Sequence, residues 1–155
     1  LLPGVSRPQL PDAQLHGMLM GFADLVFEHE GRYWVLDYKS NALGQDDAAY
    51  STERLHAAMA EHRYDVQAAV YALALHRLLR SRLGDRYRPE QHLGGAVYLF
   101  LRGIHGPASG TCMLTFPSEM LAALDAMLDN PVDSSADNSA DNSIDSSAAH
   151  TEGSE

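Results

Sequence analysis

The residues best suited to chemistry in this chain are an aspartate and a lysine two positions apart. Lys39 is the single lysine among 11 basic residues, the others being arginines. It follows Asp37 with one residue between them, at the end of the apolar run Trp34-Val35-Leu36. An acid-x-lysine triplet can complete a hydrolytic metal site, because the acid binds a hard cation and the ammonium offsets charge on a phosphate. With 21 acidic residues among 155, the triplet alone is a weak signal, so its surroundings decide.

Two predicted strands bring a second acid to this pair. Residues 18–27 and 32–39 are predicted strands, and the connector between them has the length and the glycine of a hairpin loop. Side chains alternate along a strand, so Asp37 and Lys39 point to one face, which Asp24 on the first strand can also reach. Two carboxylates and a backbone carbonyl form an oxygen-only site that suits Mg²⁺ or Mn²⁺ rather than zinc. Phosphodiester hydrolysis is the reaction that this set suits best.

Each acid also has an ordinary structural interpretation. Asp is common at strand ends, so Asp24 could be a turn residue. Asp37 follows apolar residues, where an unpaired charge is costly, but an ion pair with Lys39 or an arginine would satisfy it without a metal.

A second polar set lies on a predicted helix over residues 65–83. Gln67 and Tyr71 are four residues apart and share one face, with Tyr64 one turn earlier. Their amide and hydroxyl could orient a water or hold a phosphate oxygen. The helix alone favours the alternative, a polar edge of an amphipathic helix. The core stripe of that helix would be Val66, Val70, Leu73 and Leu78.

The remaining pattern predicts the elements that position these residues. We expect a helix over 52–62, then the helix already described, with Asp65 as its N-cap and Gly84 as its stop. Residues 93–102 are apolar on both faces, which predicts a buried central strand. With a last helix over 118–128, the order β-β-α-α-β-α predicts an α/β or α+β domain with a mixed sheet.

Composition limits the class of protein. The chain has 155 residues, of which 45% are apolar, enough for one domain with a buried core. Its single cysteine, Cys112, excludes an internal disulfide framework and any four-cysteine site. We find no secretory leader and no apolar stretch long enough to cross a membrane, and therefore expect a cytoplasmic protein. The first residue is a leucine and prolines follow early, so we expect a piece of a longer protein.

The ends of the chain differ from its middle. Six of the 21 acidic residues lie in 130–155, a segment that contains Ser-Ala-Asp-Asn repeats, so much of the net charge of −10 belongs to that tail. We predict that 130–155 is a disordered acidic segment and that 1–14 is extended. The folded domain is then expected over 15–129.

Basic and imidazole side chains give weaker indications. Five arginines cluster at the end of the second predicted helix and just after it: Arg77, Arg80, Arg82, Arg86 and Arg88. They are either a solvated helix end or a strip that contacts phosphates. The eight histidines show no pair at metal-ligand spacing, so we expect each to be a surface or capping residue.

Several blocks of the sequence closely resemble the nuclease domain of the RecB family, the beta subunits of exodeoxyribonuclease V. The resemblance covers about 15–128. The blocks that carry it are GFADLVF at 21–27, GRYWVLDYKSN at 31–41, HRYDVQ at 62–67, YALALHR at 71–77 and GGAVYLFLRG at 94–103.

The resemblance implies a restriction-endonuclease-like α/β fold of the PD-(D/E)xK class, with a mixed central sheet flanked by helices, and Mg²⁺-dependent DNA cleavage. Asp24 and Asp37 match the two acids of the signature, Lys39 its lysine, and the Tyr38 carbonyl its third metal ligand. Gln67 and Tyr71 match the Gln-x-x-x-Tyr feature of the family, which replaces the amphipathic-edge interpretation. An ATP-driven helicase and RecC-like and RecD-like subunits are the implied partners, in DNA break repair and recombination.

One departure and two alternatives accompany this resemblance. The family has a further metal-binding histidine upstream of the first strand, which His16 does not match, so we expect the fold to be truncated at its N-terminal edge. The domain could therefore be a weak or inactive nuclease module that serves as a docking surface for helicase partners. RecB-like nucleases with an iron–sulfur cluster carry four cysteines, and Cys112 alone counts against that class.

Overall fold

The computed structural model describes residue 2, residues 4–6 and residues 22–129. The predictions for 1–14 and 130–155 fall largely or wholly outside these residues. Within them, the chain forms a mixed sheet with helices in the connections. In chain order the elements are β1 (Leu25–His29), β2 (Arg32–Lys39), α1 (Thr52–Glu61), α2 (Tyr64–Leu83), α3 (Pro89–His92), β3 (Leu93–Phe100), β4 (Thr111–Leu114) and α4 (Ser118–Asp129). Short 3₁₀ turns occupy Asp47–Tyr50, Gly84–Arg86 and Leu101–Gly103.

The sheet of the described part has the order β1-β2-β3-β4. β1 runs antiparallel to β2, β2 parallel to β3, and β3 antiparallel to β4. The parallel pair is central, and the connection between its two strands carries α1 and α2, as a parallel crossover requires. This arrangement confirms the predicted mixed sheet and the predicted central position of β3.

The first hairpin is tighter than predicted. β1 starts at Leu25 and extends to His29, so the prediction of a strand through 22–24 is wrong, while 18–21 lie outside the described residues. The turn is formed by Glu30 and Gly31, both with positive φ (52° and 77°), the conformation of a two-residue hairpin turn that matches strand twist. The Gly31 N–H donates to the Glu28 carboxylate at 2.6 Å, which further fixes the turn.

One face of the sheet is covered by helices. Val35 and Asp37 on β2 and Ala96 and Tyr98 on β3 are buried, whereas alternate residues such as Val97 are only half-buried. α2 packs on both central strands, with α1 and α4 beside it. The buried positions of α2 are mostly small or apolar: Ala68, Ala69, Tyr71, Ala72, Leu73, Leu75 and Leu79. The predicted stripe is thus wrong for Val66 and Leu78, which are 41% and 48% exposed, because the alanine side of α2 faces the sheet.

The ends of α2 follow two different rules. Gly84 closes the helix at φ 54°, as predicted. The N-cap is Arg63, in the left-handed conformation at φ 58°, and Asp65 is a buried residue of the first turn, so the predicted Asp65 cap is wrong. The Arg63 carbonyl accepts hydrogen bonds from the backbone N–H groups of Val66 and Gln67. This break after α1 starts α2 at Tyr64.

Two members of the arginine group fasten α4 to α2. Arg77 donates through Nε to one carboxylate oxygen of Asp125, and Arg80 reaches the other at 2.6 Å. Burial would raise the pKa of Asp125, but the hydrogen bonds from both arginines lower it. Arg88 also donates to backbone carbonyls, those of Asp85 and Tyr87. These three arginines therefore make contacts within the domain, and the phosphate-strip interpretation stays a prediction.

His76 departs from the expected surface role, because it is buried on α2. Its Nδ1 lies 2.9 Å from the Tyr87 hydroxyl, and the two rings meet edge to face at 5.2 Å. Burial, helped by the positive charge of Arg80, lowers the pKa of His76 below 6.5. Burial also raises the pKa of Tyr87 to about 12. The pair therefore stays neutral near pH 7.

The neutral His76 should make the fold sensitive to mild acid. The unfolded chain binds a proton at His76 more readily than the folded one, so the free energy of unfolding should fall as pH drops through 6.5. Between pH 7.5 and 5.5 we expect His76→Gln to lose less stability than the wild-type chain, by on the order of 1 kcal/mol. Urea unfolding at both pH values measures this, with His105→Gln at an exposed site as the control. Equal losses in wild type and His76→Gln would contradict it.

Candidate active site

The site forms where β2 extends beyond its pairing with β1. Their pairing ends at Leu25 and Leu36, so residues 37–39 have no β1 residue opposite them. On their other side these residues continue to pair with β3. One backbone edge of β2 is thereby open over three residues, next to the triplet that the sequence singled out.

Asp24 occupies this open edge. The prediction that it lies on the first strand is wrong, because Asp24 is in a bend directly before β1. Its carboxylate accepts a hydrogen bond from the Tyr38 N–H at 2.8 Å. In an extended strand the N–H and C=O of one residue point to the same neighbour, so the Tyr38 carbonyl is directed to the same edge. Asp24 and the Tyr38 carbonyl are thus brought to one side of β2.

Asp37 and Lys39 lie on the helix-covered face of the sheet. The Lys39 ammonium is 2.7 Å from one carboxylate oxygen of Asp37, and their side chains are 12% and 7% exposed respectively. The prediction that strand alternation places them on one face is confirmed. An ion pair this buried is costly unless further hydrogen bonds satisfy it, and α2 supplies them.

Gln67 connects the lysine to the helix. Its side-chain oxygen accepts from Lys39 Nζ at 3.1 Å and from the Tyr98 hydroxyl at 3.2 Å, while its amide nitrogen donates to the Tyr71 hydroxyl at 2.8 Å. An ammonium only donates, so this contact fixes which end of the amide faces Lys39. Gln67 and Tyr71 share a helix face, as the spacing predicted.

Tyr71 reaches the segment that carries Asp24. Its hydroxyl donates to the Phe22 carbonyl at 2.6 Å, and its oxygen is 3.5 Å from the second carboxylate oxygen of Asp37. Burial raises the pKa of Tyr71, and the negative charges of Asp37 and Asp24 raise it further. Tyr71 is therefore a neutral hydroxyl at neutral pH and joins α2 to both acidic segments.

Two further tyrosines belong to the site: Tyr98, which was not predicted, and Tyr64, which was noted on the helix but given no role. Tyr98, on β3, lies opposite Asp37 in the strand register and donates to Gln67. Burial raises the pKa of Tyr98, and the negative charge of Asp37 raises it further. The Tyr64 ring lies 3.9 Å from Lys39 Nζ. The signal for Tyr64 was its place one turn before Gln67, whereas Tyr98 requires knowledge of how β3 pairs with β2.

The donor set suits a hard divalent cation only in part. Asp24 and Asp37 supply carboxylate oxygens, and the Tyr38 carbonyl is directed to the same edge as Asp24, which matches the oxygen chemistry of Mg²⁺ or Mn²⁺. Among residues 22–129, however, no group of three or more His, Cys, Asp and Glu side chains is close enough to hold a metal. Within this part of the chain, the oxygen donors that would hold such an ion are thus Asp24, Asp37 and the Tyr38 carbonyl, and they do not form a complete ligand set by themselves.

A cleft of about 360 Å³ opens beside the segment that follows Lys39. Arg102 lines it and donates through Nε to the Ser40 carbonyl at 3.0 Å. The other lining residues are Gly44, Gln45, Asp46, Asp47 and Tyr50. Arg102 is exposed and is hydrogen-bonded to the residue that directly follows Lys39.

Comparison with known proteins identifies the family. The model of the PD-(D/E)XK nuclease superfamily matches residues 7–149, most of the chain. This chain belongs to the PD-(D/E)XK nuclease superfamily. The predicted family and its fold are thereby confirmed, and the mixed sheet with its helices is the superfamily core as it occurs here.

Curated relatives refine the comparison. The chain is similar to the RecBCD enzyme subunit RecB of Escherichia coli, 51% identical over 122 residues, which are 77% of this chain and 10% of that protein. RecB of Haemophilus influenzae is 43% identical over 74% of this chain and 9% of its own length. RecB of Mycobacterium tuberculosis is 48% identical over 64% of the chain and 9% of its own length. The chain thus spans about a tenth of these relatives. Within the described residues no helix is long and apolar enough to cross a membrane.

Proposed function

We propose that this PD-(D/E)XK chain is a divalent-metal-dependent DNA nuclease domain that hydrolyses phosphodiester bonds. The observation that carries the proposal is the position of Lys39, which is held between Asp37 and Gln67 on β2, the strand whose open edge Asp24 occupies. An acidic pair beside a buried, oriented ammonium suits charge development on a phosphate far better than it suits fold stability, because a buried ion pair gains little net free energy.

The roles divide between binding the ion and placing the lysine. Asp24, Asp37 and the Tyr38 carbonyl would hold Mg²⁺, with Mn²⁺ as a substitute, and the ion would supply Lewis acidity at the scissile phosphate. The Tyr38 N–H holds the Asp24 carboxylate at the strand edge. Lys39 holds the attacking water near the phosphate and offsets negative charge there.

In the structure, Gln67 and Tyr71 form hydrogen bonds with other groups of the protein. Gln67 holds Lys39 through its side-chain oxygen, and Tyr71 holds Gln67 and the Phe22 carbonyl. Their bonds keep the acidic segment, the lysine and α2 in one arrangement. That they also orient water or a phosphate oxygen stays a prediction; its support is that the Tyr71 hydroxyl lies 3.5 Å from Asp37 and that Gln67 bonds to Lys39.

The names of the relatives support a proposal for the biological setting. Those proteins are named as RecB subunits of the RecBCD enzyme. We therefore infer that this domain acts on linear DNA within a helicase–nuclease that contains RecC-like and RecD-like subunits, in cytoplasmic repair and recombination of broken DNA. ATP would be used by helicase domains elsewhere in the assembly. The exposed Arg102 beside the cleft is suited to contact a phosphate of the bound strand.

Metal binding tests the proposed ligands without any cleavage assay. Asp24→Asn keeps an acceptor for the Tyr38 N–H but loses the charge, so we expect Mg²⁺ or Mn²⁺ affinity to fall at least about tenfold. Isothermal titration calorimetry on the 155-residue chain measures this. Asp85→Asn removes the same charge from an exposed turn and serves as the control. Equal affinities in the two variants would contradict the role of Asp24.

A docking module is the second candidate function. Its support is the incomplete cluster of metal ligands among residues 22–129, together with exposed apolar side chains on the sheet, Leu25, Val26 and Met113. A module of this kind would bind a helicase partner yet show no saturable metal binding in calorimetry. The two candidates therefore differ in the same experiment.

A further inference from the structure

Tyr64 occupies a special place relative to the single lysine. It is the first residue of α2, one turn before Gln67, and is half-buried. Its ring centroid lies 3.9 Å from Lys39 Nζ, which is within the range of a favourable cation–π contact. The Tyr98 ring lies farther from the same atom, at 5.2 Å. The ammonium thus contacts the ring of Tyr64 on α2 more closely than the ring of Tyr98 on β3.

The orientation of this ring is fixed from several directions. The Tyr64 hydroxyl donates to the Asn41 side-chain oxygen at 3.2 Å. The ring stacks on His62 at 5.3 Å and on Tyr98 at 5.9 Å, with interplanar angles of 25° and 19°. Asn41 follows Lys39 by two residues, so Tyr64 bonds to the segment that carries the lysine while its own backbone starts the helix that carries Gln67.

The ring contact differs in kind from the other contacts of the ammonium. Lys39 Nζ also meets the Asp37 carboxylate at 2.7 Å and the Gln67 oxygen at 3.1 Å. Asp37 is a proposed metal ligand, so its hold on Lys39 weakens whenever positive charge binds to that carboxylate. The Tyr64 ring is not a proposed ligand of the cation, so its contact with Lys39 does not depend on whether Asp37 binds one. It limits the motion of a long flexible side chain regardless of what Asp37 binds.

We propose that Tyr64 is a positioning residue for Lys39, and that the face of its ring holds the ammonium in place from the first turn of α2. The role of the ring in catalysis rests on the proposed nuclease function, whereas its hold on Lys39 does not. The aromatic face, rather than the hydroxyl, carries the effect.

Nuclear magnetic resonance can observe this contact directly, because the chain has one lysine. Lysine-selective labelling therefore gives the side-chain signals of Lys39 alone. Protons held over a ring face are shifted upfield, so we expect upfield Lys39 Hε signals in the wild-type chain and in Tyr64→Phe. In Tyr64→Leu they should move to the position of a free lysine. His62→Ala, which removes an exposed stacking partner, should retain the upfield shift.

Kinetics test whether the contact matters for cleavage. Tyr64→Leu should lower kcat on DNA about tenfold with KM within about twofold, because the ring touches the lysine and not the substrate. Tyr64→Phe should keep kcat within about threefold of wild type, since it retains the ring. Circular dichroism confirms the fold of each variant.

The outcomes separate the two proposals. A folded Tyr64→Leu chain with unchanged Lys39 signals, or a Tyr64→Phe chain as impaired as Tyr64→Leu, would overturn the positioning role. If the Lys39 signals respond to the Tyr64 substitutions as expected but the wild-type chain cuts no DNA, the positioning role is supported and the nuclease function is overturned instead.

Discussion

Asp37→Asn should lower the rate of DNA cleavage by about a thousandfold and leave the fold in place. Asparagine has the shape of aspartate, and its side-chain oxygen can still accept a hydrogen bond from Lys39, which lies 2.7 Å from Asp37. It lacks the charge that binds a divalent cation and that Lys39 neutralises. Loss of activity with retained structure would therefore assign the effect to the carboxylate charge.

Asp125→Asn is the matched control for this substitution. Asp125 is also buried and also paired with basic side chains, those of Arg77 and Arg80, but it joins α2 to α4 and is absent from the contacts of the site. We expect Asp125→Asn to lower stability and to keep cleavage within about threefold of wild type, measured well below its unfolding temperature. A similar loss of cleavage in both variants would point to a general effect of removing a buried carboxylate.

Gly95→Ala should destabilise the domain by at least about 3 kcal/mol. Gly95 lies on β3 at φ +136°, and a Cβ atom there would come within 2.1 Å of the Leu114 carbonyl oxygen on β4. The strand register shifts at this point, where Trp34 pairs with Gly95 after Tyr33 pairs with Leu93. The nearest atoms all belong to the backbone of Leu114 and Thr115, so no flexible side chain could move away. The strand that presents Tyr98 to the site would have to distort.

Gly31→Ala provides the comparison for Gly95→Ala. Gly31 also has positive φ, +77°, but a Cβ atom there would meet nothing within 4 Å. Its substitution should cost only the backbone strain of about 1 kcal/mol. Urea unfolding of both variants measures the difference. A Gly95→Ala chain as stable as Gly31→Ala would show that the strands can separate without loss of packing.

Local sequence pattern was enough for the part of the site that depends on one element. Strand alternation predicted that Asp37 and Lys39 share a face, and helical spacing predicted the same for Gln67 and Tyr71. Each of these pairs lies on a single strand or helix, so its geometry follows from the period of that element. The bounds of β2 and the stop of α2 at Gly84 were predicted for the same reason.

Features that depend on distant contacts were missed. Tyr98 joins the site only because β3 pairs in parallel with β2, and no local pattern states that register. Val66 and Leu78 were expected in the core, but the alanine face of α2 permits the closer approach to the sheet. β4 escaped prediction because it has four residues, Thr111–Leu114, of which only alternate ones are well buried. Its place is set by β3.

The acidic edge shows how a small error in a boundary changes a site. Asp24 was predicted on the first strand, where its carboxylate would project from a sheet face. It lies one residue before β1, so its carboxylate turns to the unpaired edge of β2 and accepts the Tyr38 N–H. The start of β1 at Leu25 therefore helps to form the site, because a strand that began earlier would have used the Tyr38 N–H in the sheet.

Cleavage of end-labelled linear DNA by the 155-residue chain, with Asp37→Asn assayed beside it, tests the central claim most directly. We predict that the wild-type chain cuts DNA in Mg²⁺ or Mn²⁺, that chelation of the metal stops it, and that Asp37→Asn binds DNA without cutting. A folded wild-type chain that binds DNA but does not cut it with either metal would contradict the claim. Cleavage by Asp37→Asn at the wild-type rate would contradict it equally.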